Sequence, residues 1–255
     1  MTDSPFEPAP SAEGAEVAEG KLDRLLATLP PDLRPKLESI CQRRSVRAGE
    51  VLVEEGEDSL VIGYVLSGML GMVKLLPDGR RHIIGLLVPT DMYGRLFNGK
   101  FSYQIDALSD AELVVCSRPA FEALLEQAPV AERLFMVDMF DELDAAREWI
   151  LVLGGPKVVQ RVASFLLILC RRKMRGAIPA DTDDDPINLR LAIRRPDLAQ
   201  YLGARPESLS RAFHQLERDG LLRMNSPHDF DILDVPGLID VAGHDLVIEE
   251  SAARG

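Results

Sequence analysis

The sequence predicts an α+β chain in three parts: a sandwich or small barrel of short strands, a long helix, and a compact helical segment closed by a β-hairpin. Three observations carry this. Residues 45–117 break into short β-type apolar runs separated by glycine. Residues 131–153 hold a seven-residue apolar repeat. Residues 194–233 place two short helix signals around Gly203, then a turn and a strand.

In chain order, residues 1–20 are rich in Pro, Ala, Glu and Ser. With almost no large apolar side chains, they cannot offset their own ordering entropy and are expected to be a disordered tail. An amphipathic helix follows from Leu22 to Cys41, interrupted at Pro30–Pro31. The runs Val51–Val53, Val61–Leu66, Leu70–Leu76, His82–Val88 and Leu113–Cys116 read as strands. Gly49, Gly56, Gly68, Pro77–Asp78–Gly79 and Gly94 punctuate them, and Asp78–Gly79 between apolar runs is a hairpin signal. Many short strands at close spacing suit a sandwich or small barrel.

A helix is expected over Pro119–Gln127 and a longer one over Ala131–Leu153. In the longer one Met136, Leu143 and Ile150 recur every seven residues, and Met139, Ala146 and Leu153 fill the alternate positions. Three such repeats suffice for a two-stranded dimer contact. A helix packed only on its own strands is the plainer alternative. Phe135, Phe140 and Trp149 lie off the seam and can do that packing. Gly154–Gly155–Pro156 ends the helix and marks a hinge. A further helix, Lys157–Met174, an acidic connection at Asp181–Asp185 and a strand, Ile187–Leu191, complete the approach to the last part.

Residues 194–222 read RRPDLAQYLGARPESLSRAFHQLERDGLL. A first helix from Pro196 to Leu202 turns Leu198, Ala199 and Leu202 inward. Gly203 suits the left-handed turn, and Pro206 restarts the chain as a helix at a position where proline is tolerated. Leu209, Phe213 and Leu216 form the second helix's apolar stripe, and Gly220 ends it. A Pro/His/Asp turn and a strand, Asp231–Leu233, follow. Two short helices around a glycine turn with a β-hairpin describe a winged helix-turn-helix.

The side chains opposite the stripe are those that read base edges. Arg211 can donate bidentately to guanine, Glu207 can accept from cytosine, and Ser210 can meet a base edge or a thymine methyl. Glu207 and Arg211, four apart, can also pair with each other, which is the ordinary surface alternative. Arg194, Arg195, Arg205, Ser208 and His214 are candidates for phosphate or helix-start contacts.

Charge agrees once it is divided by segment. The whole chain carries −12. Residues 1–155 carry 15 Lys and Arg against 26 Asp and Glu, residues 156–223 carry 13 against 8, and residues 224–255 carry 1 against 7. The basic surplus is confined to the block that holds the helix-turn-helix, the footprint a polyanion would require.

Other classes are disfavoured. No apolar run reaches the eighteen or so residues of a membrane span, and the N-terminus lacks the basic-then-apolar order of a secretory signal. Three widely spaced cysteines, Cys41, Cys116 and Cys170, argue against a disulfide framework and for a reducing, cytoplasmic compartment. Cys170 precedes Arg171–Arg172–Lys173, which would lower its pKa if the thiol were exposed, so it is the redox candidate. A buried packing role is the alternative. His82, His214, His228 and His244 form no pair at metal-ligand spacing, so no metal site is expected. No phosphate loop, nucleophile elbow or carboxylate pair suggests an enzyme.

From about residue 22 onward the chain resembles the Crp/Fnr family of bacterial regulators. DLAQYLGARPESLSRAFHQLERDGLL is similar to the family's recognition segment, and Glu207-x-x-Ser210-Arg211 is similar to its Fnr branch. AGEVLVEEGE, YVLSG and LPDGRRHIIGLLVPTDMYG resemble its cyclic-nucleotide-binding-like β-roll, and DELDAAREWILVLGGPKVVQRVASFLL its dimer helix and hinge. The resemblance implies a β-roll (jelly roll) over 21–130, a dimerisation helix and hinge over 131–155, a winged helix-turn-helix over 156–243 and an acidic tail over 244–255. It implies a cytoplasmic homodimeric activator that binds palindromic double-stranded DNA and works with RNA polymerase, with no membrane partner.

Two departures bear on the effector. Nucleotide-binding members carry a Gly-Glu pair and a later Arg-Ser/Thr pair, where this chain has Gly94–Arg95 and Ser102–Tyr103. Cyclic AMP is therefore not expected, although Arg95 could attract another anion. Iron–sulfur members carry an N-terminal cysteine cluster plus one more cysteine in the β-roll; Cys116 matches the latter position, but no cysteine precedes Cys41. A cluster normally needs four protein ligands, so none is expected. Haem ligation by His82 or a methionine stays open, as do a haem- or thiol-dependent sensor of the same fold and a β-roll module that binds a small molecule.

Overall fold

A computed structural model describes residues 20–97, 99–173 and 186–243. The expected tail, the acidic connection at Asp181–Asp185 and the C-terminal segment 244–255 lie outside the described residues. The chain divides into two compact units between Glu142 and Leu143.

The first unit opens with helices α1 (Lys21–Thr28) and α2 (Arg34–Ile40). The Pro30–Pro31 break separates them, as expected. Strands β1 (Cys41–Val46), β8 (Ala111–Ser117), β3 (Val61–Ser67) and β6 (Met92–Tyr93) form one antiparallel sheet in the order β1-β8-β3-β6. Strands β2 (Val51–Val53), β7 (Gln104–Ala107), β4 (Leu70–Leu75) and β5 (Arg81–Leu87) form the other, in the order β2-β7-β4-β5. Leu76 and Arg80 close the β4–β5 hairpin, with Gly79 at φ 81° where a side chain would be strained.

Val65, Leu70, Ile105 and Leu113, drawn from both sheets, pack with Phe101 as one core. A second core, with Leu25, Leu37, Ile62, Tyr64, Cys116 and Phe121, joins the first sheet to α1, α2 and α3 (Arg118–Leu125). Strand β3 contributes to both, since Ile62 and Tyr64 face the helices while Val65 faces the second sheet. A strand covered on both faces reads as a continuous apolar run instead of an alternating one.

Helix α4 runs from Pro129 to Gly154. Phe135 is buried edge-on against Phe121, with centroids 5.7 Å apart, as the off-seam position predicts. Two expectations need correction. Phe140 is 61% exposed and joins the Met136 and Leu143 face. Trp149 packs on Phe165 and Tyr201, not on the strands. Of the proposed seam, Met136, Leu143, Ala146, Ile150 and Leu153 are exposed, whereas Met139 is half-buried against the second core.

The second unit is built on α5 (Val158–Lys173), buried continuously from Val162 to Cys170. Helices α7 (Pro206–Arg218) and α8 (Val235–Ala242) pack against it. A sheet of β10 (Leu222–Ser226), β11 (Asp229–Ile232) and β9 (Ile187–Arg190), in that order, forms the wing beside α6 (Arg195–Tyr201) and α7. The Asp234 carboxylate caps α8 by accepting from Gly237 N–H at 2.8 Å.

Cys41 and Cys116 stand directly opposite in the β1–β8 register and are joined as a disulfide. This corrects the expectation that the cysteines stay apart, and with it the argument from cysteine count for a reducing compartment. Seventy-five residues of sequence separate the pair, and the sheet register alone brings them together.

Candidate nucleic-acid interface

Helix α6 is preceded by the extended cap residue Arg194, and Pro196 sits in its first turn, where no donor is lost. Leu198, Ala199, Tyr201 and Leu202 are buried. Leu202 and Ala204 N–H then bond back to Leu198 and Ala199, and Gly203 turns the chain at φ 60°. A Cβ at Gly203 would lie 3.2 Å from the Arg161 guanidinium, which donates to the Gly203 carbonyl at the same distance. Arg205 is the extended cap residue of α7, and Pro206 restarts the helix.

Leu209, Phe213 and Leu216 are fully buried and fix the orientation of α7. Each such side chain contributes about 1.5–3 kcal/mol, far more than the helix's intrinsic propensities. Burying that stripe turns Glu207, Ser210, Arg211, His214 and Arg218 outward, all exposed along one face. Arg218 was missed in the sequence reading, although seven residues after Arg211 it must share that face. The helix C-terminus is tied to the wing by Met224 N–H donating to Glu217 at 3.0 Å.

The candidates are not all equally free. Arg211 donates to Ser208 Oγ at 3.2 Å, and the Glu207–Arg211 pair that the spacing allows is not formed. His214 lies 3.6 Å from Glu217. Arg194 is engaged with Asp197 at 2.8 Å. Arg205, Arg211 and Arg218 make no ion pair among the described residues.

Arg195 needs correcting as a phosphate contact. Its guanidinium lies 3.9 Å from the Phe213 ring centroid and 5.2 Å from that of Phe230, and its burial lowers its pKa. It is a half-buried cation stacked between the recognition helix and the wing, with Nη1 buried and unbonded. The wing itself is held by Asp231, which accepts from Asn188 at 2.9 Å and Arg223 at 2.7 Å. Those bonds, Asn188's first among them, hold its carboxyl down to about 2.

Residues 160–241 match the Crp-like helix-turn-helix domain, and residues 43–128 match the cyclic nucleotide-binding domain. The chain is 33% identical to the transcriptional activator protein FnrL of Cereibacter sphaeroides, across 82% of this chain and 84% of FnrL. The chain belongs to the Crp/Fnr family. It is also 31% identical to the nitrogen fixation regulation protein FixK of Bradyrhizobium diazoefficiens, over 73% of this chain and 76% of that one. The structure of FixK2 from Bradyrhizobium japonicum superposes with a TM-score of 0.68 at 26% identity, covering 79% of this chain and 97% of that one. This Crp/Fnr member is thus a transcriptional activator with a helix-turn-helix DNA-binding domain.

Two further positions matter in this Crp/Fnr chain. In the β-roll, Arg95 is exposed and folded onto its own loop, with Nη1 donating to the Lys100 carbonyl at 3.1 Å. Its backbone N–H donates to the buried Ser59 hydroxyl at 2.9 Å. Ser102 is exposed, its carbonyl taken by Lys74 at 2.6 Å, and Tyr103 stacks edge-on against Phe101. Cys170 is fully buried in α5, where desolvation pushes its thiol up to about 12. The redox expectation for Cys170 is therefore overturned: burial outweighs the lowering effect of Lys173 on a thiol closed inside the core. Among the described residues no group of side chains could hold a metal ion, and no helix is long and apolar enough to cross a membrane.

Proposed function

We propose that the chain acts as a homodimer that reads an inverted repeat in double-stranded DNA and regulates promoters together with RNA polymerase in the cytoplasm. The observation that carries this reading is the outward face of α7. Glu207, Ser210 and Arg211 lie together on it, exposed, with the buried stripe behind them. Arg211 would bond the half-site guanine, Glu207 would accept from the cytosine amino group, and Ser210 would meet a thymine. Arg205 and His214 would contact phosphate, while Ser208 would hold Arg211 in place. By resemblance to the Fnr branch the operator is TTGAT-N4-ATCAA, with half-sites about one helical turn apart.

Dimerisation through α4 is supported by the exposed apolar face of Met136, Phe140, Leu143, Ile150 and Leu153. Apolar side chains exposed together along one helix face suit an interaction surface. The effector reading is negative: no cyclic AMP, because Arg95 and Ser102 offer neither the acid nor the arginine that such a ligand needs, and no iron–sulfur cluster. An absorption spectrum of the anaerobically purified chain tests for haem. We assign no enzymatic activity.

Selection from a random oligonucleotide pool tests the reading. Recovery of a TTGAT-type palindrome is expected. A TGTGA-type half-site would show that Ser210 does not discriminate as argued, and recovery of no palindrome would end the two-fold reading.

A further inference from the structure

The Cys41–Cys116 pair belongs to neither the DNA-reading face nor the β-roll loop around Arg95. Cys41 is the first residue of β1 and follows directly on α2, so the bond sits at the base of the α1–α2 hairpin. Cys116 lies in β8, between β1 and β3, and is fully buried; Cys41 is only half-buried.

The hairpin above the bond grips the helix proposed to form the dimer. Lys21 pairs with Glu142, and Arg24 pairs with the buried Asp138 at 2.6 Å, both acids on α4. Arg34 holds α1 to α2 by donating to the Leu29 and Ala27 carbonyls at 3.1 and 3.2 Å. Met139 of α4 packs against the same core that contains Cys116 and, at its margin, Cys41. A covalent tie at the base and two ion pairs at the top thus act on one hairpin.

We propose that Cys41 and Cys116 form a reversible thiol–disulfide site whose state sets how firmly the α1–α2 hairpin holds the first half of α4. The co-reactant class is a dithiol. One thiolate of the dithiol attacks Cys41 Sγ, the more accessible sulfur, to form a mixed disulfide. The S–S bond breaks and Cys116 leaves as a thiolate, which takes up a proton. The second thiol of the dithiol then displaces Cys41, which also ends as a thiol. Two electrons and two protons pass to the protein and the dithiol closes to its own disulfide. Oxidation is the reverse, with a small-molecule disulfide as acceptor. Cys170 takes no part, since its thiol is enclosed in the other unit.

The test uses the full chain, treated with oxidised glutathione or with dithiothreitol. After denaturation, one titratable thiol is expected in the first sample and three in the second. Amide hydrogen exchange, read on the folded samples, should be at least tenfold slower over residues 20–40 and 129–142 in the oxidised protein. C170S should respond as the wild type does, and C41S should exchange like the reduced wild type under both treatments. If C41S does not fold, the reduced and oxidised wild-type samples make the same comparison. Three thiols after oxidation, unchanged exchange, or a change confined to 20–40 would each overturn the proposal. So would a response that disappears in C170S.

Discussion

The two units place their cations differently. In the first, cations are spent inside the protein: Arg24 on Asp138, Arg44 on Glu50, Arg80 on Asp78, Arg81 on Asp106. In the second, Arg194 and Arg223 are likewise paired with Asp197 and Asp231, but Arg205, Arg211 and Arg218 stand outward along α7 with no acid paired to them among the described residues. An exposed ion pair contributes little to stability, so unpaired cations cost the fold almost nothing and stay available to a phosphate backbone. The overall −12 is therefore no obstacle to DNA binding. What matters is where the positive charge is left uncompensated.

The comparison predicts a hierarchy of effects. The largest falls on assembly. Leu143→Asp places a charge in the proposed seam, and desolvating it without a partner should cost several kcal/mol. Leu143 is 47% exposed in the single chain, so the fold should survive while sedimentation shows monomers. A variant that stays dimeric would move the interface elsewhere.

Next come the outward cations. Arg211→Ala should cost about 1–3 kcal/mol per half-site and relax the choice of base there. Arg205→Ala should instead weaken all sequences alike and flatten the salt dependence of binding. Titrations of specific and scrambled duplexes at several salt concentrations separate the two roles. Identical behaviour of the two variants would erase the distinction between reading and anchoring.

Arg195 gives a sharper contrast, because it is a cation of the second unit used as the first unit uses its own. Arg195→Met keeps the stem but removes the charge over Phe213, at a cost of roughly 0.5–2 kcal/mol in denaturant unfolding. The salt slope of DNA binding should not change. A slope reduced by about one would restore Arg195 as a phosphate contact.

A smaller effect concerns acid. Asp231 is held down to about 2 by Asn188, Asn225 and Arg223, against an ordinary value of about 3.9. A lowered folded-state pKa contributes stability that is complete above the ordinary value. It is lost as pH falls towards 2. Melting curves should show Asp231→Asn closing on the wild type between pH 5 and pH 2.5. A constant gap would mean that charge on Asp231 does not hold the wing.

The smallest expected effect is none. Cyclic AMP or cyclic GMP should not move the melting temperature, whereas a ligand at a hundred times its Kd would add about 2.7 kcal/mol. A concentration-dependent rise would show that the Arg95 loop opens to an anion after all.

Much of the helix-turn-helix was legible because its signals are local. Pro206 starts a helix, Gly203 and Gly220 end elements, and Leu209, Phe213 and Leu216 fall at helical spacing. The β-roll was legible only where strands carry contiguous apolar residues. Strands β1, β6 and β7 escaped notice because CQRRSV and QIDA mix polar and apolar residues, and MY is two residues long. Helix α8 escaped because Pro236 and Gly237 read as a loop until Asp234 is seen to cap it.

By itself the sequence determined the three-part order of β region, long helix and helix-turn-helix, and the face of α7 that carries Glu207, Ser210 and Arg211, because helical period and turn chemistry act over a few residues. The tertiary structure decided which of the polar side chains are free. Arg195 went to Phe213, Cys170 into the core and Cys41 to Cys116. Those outcomes depend on contacts between distant elements, set by sheet register and packing, and no local pattern encodes them.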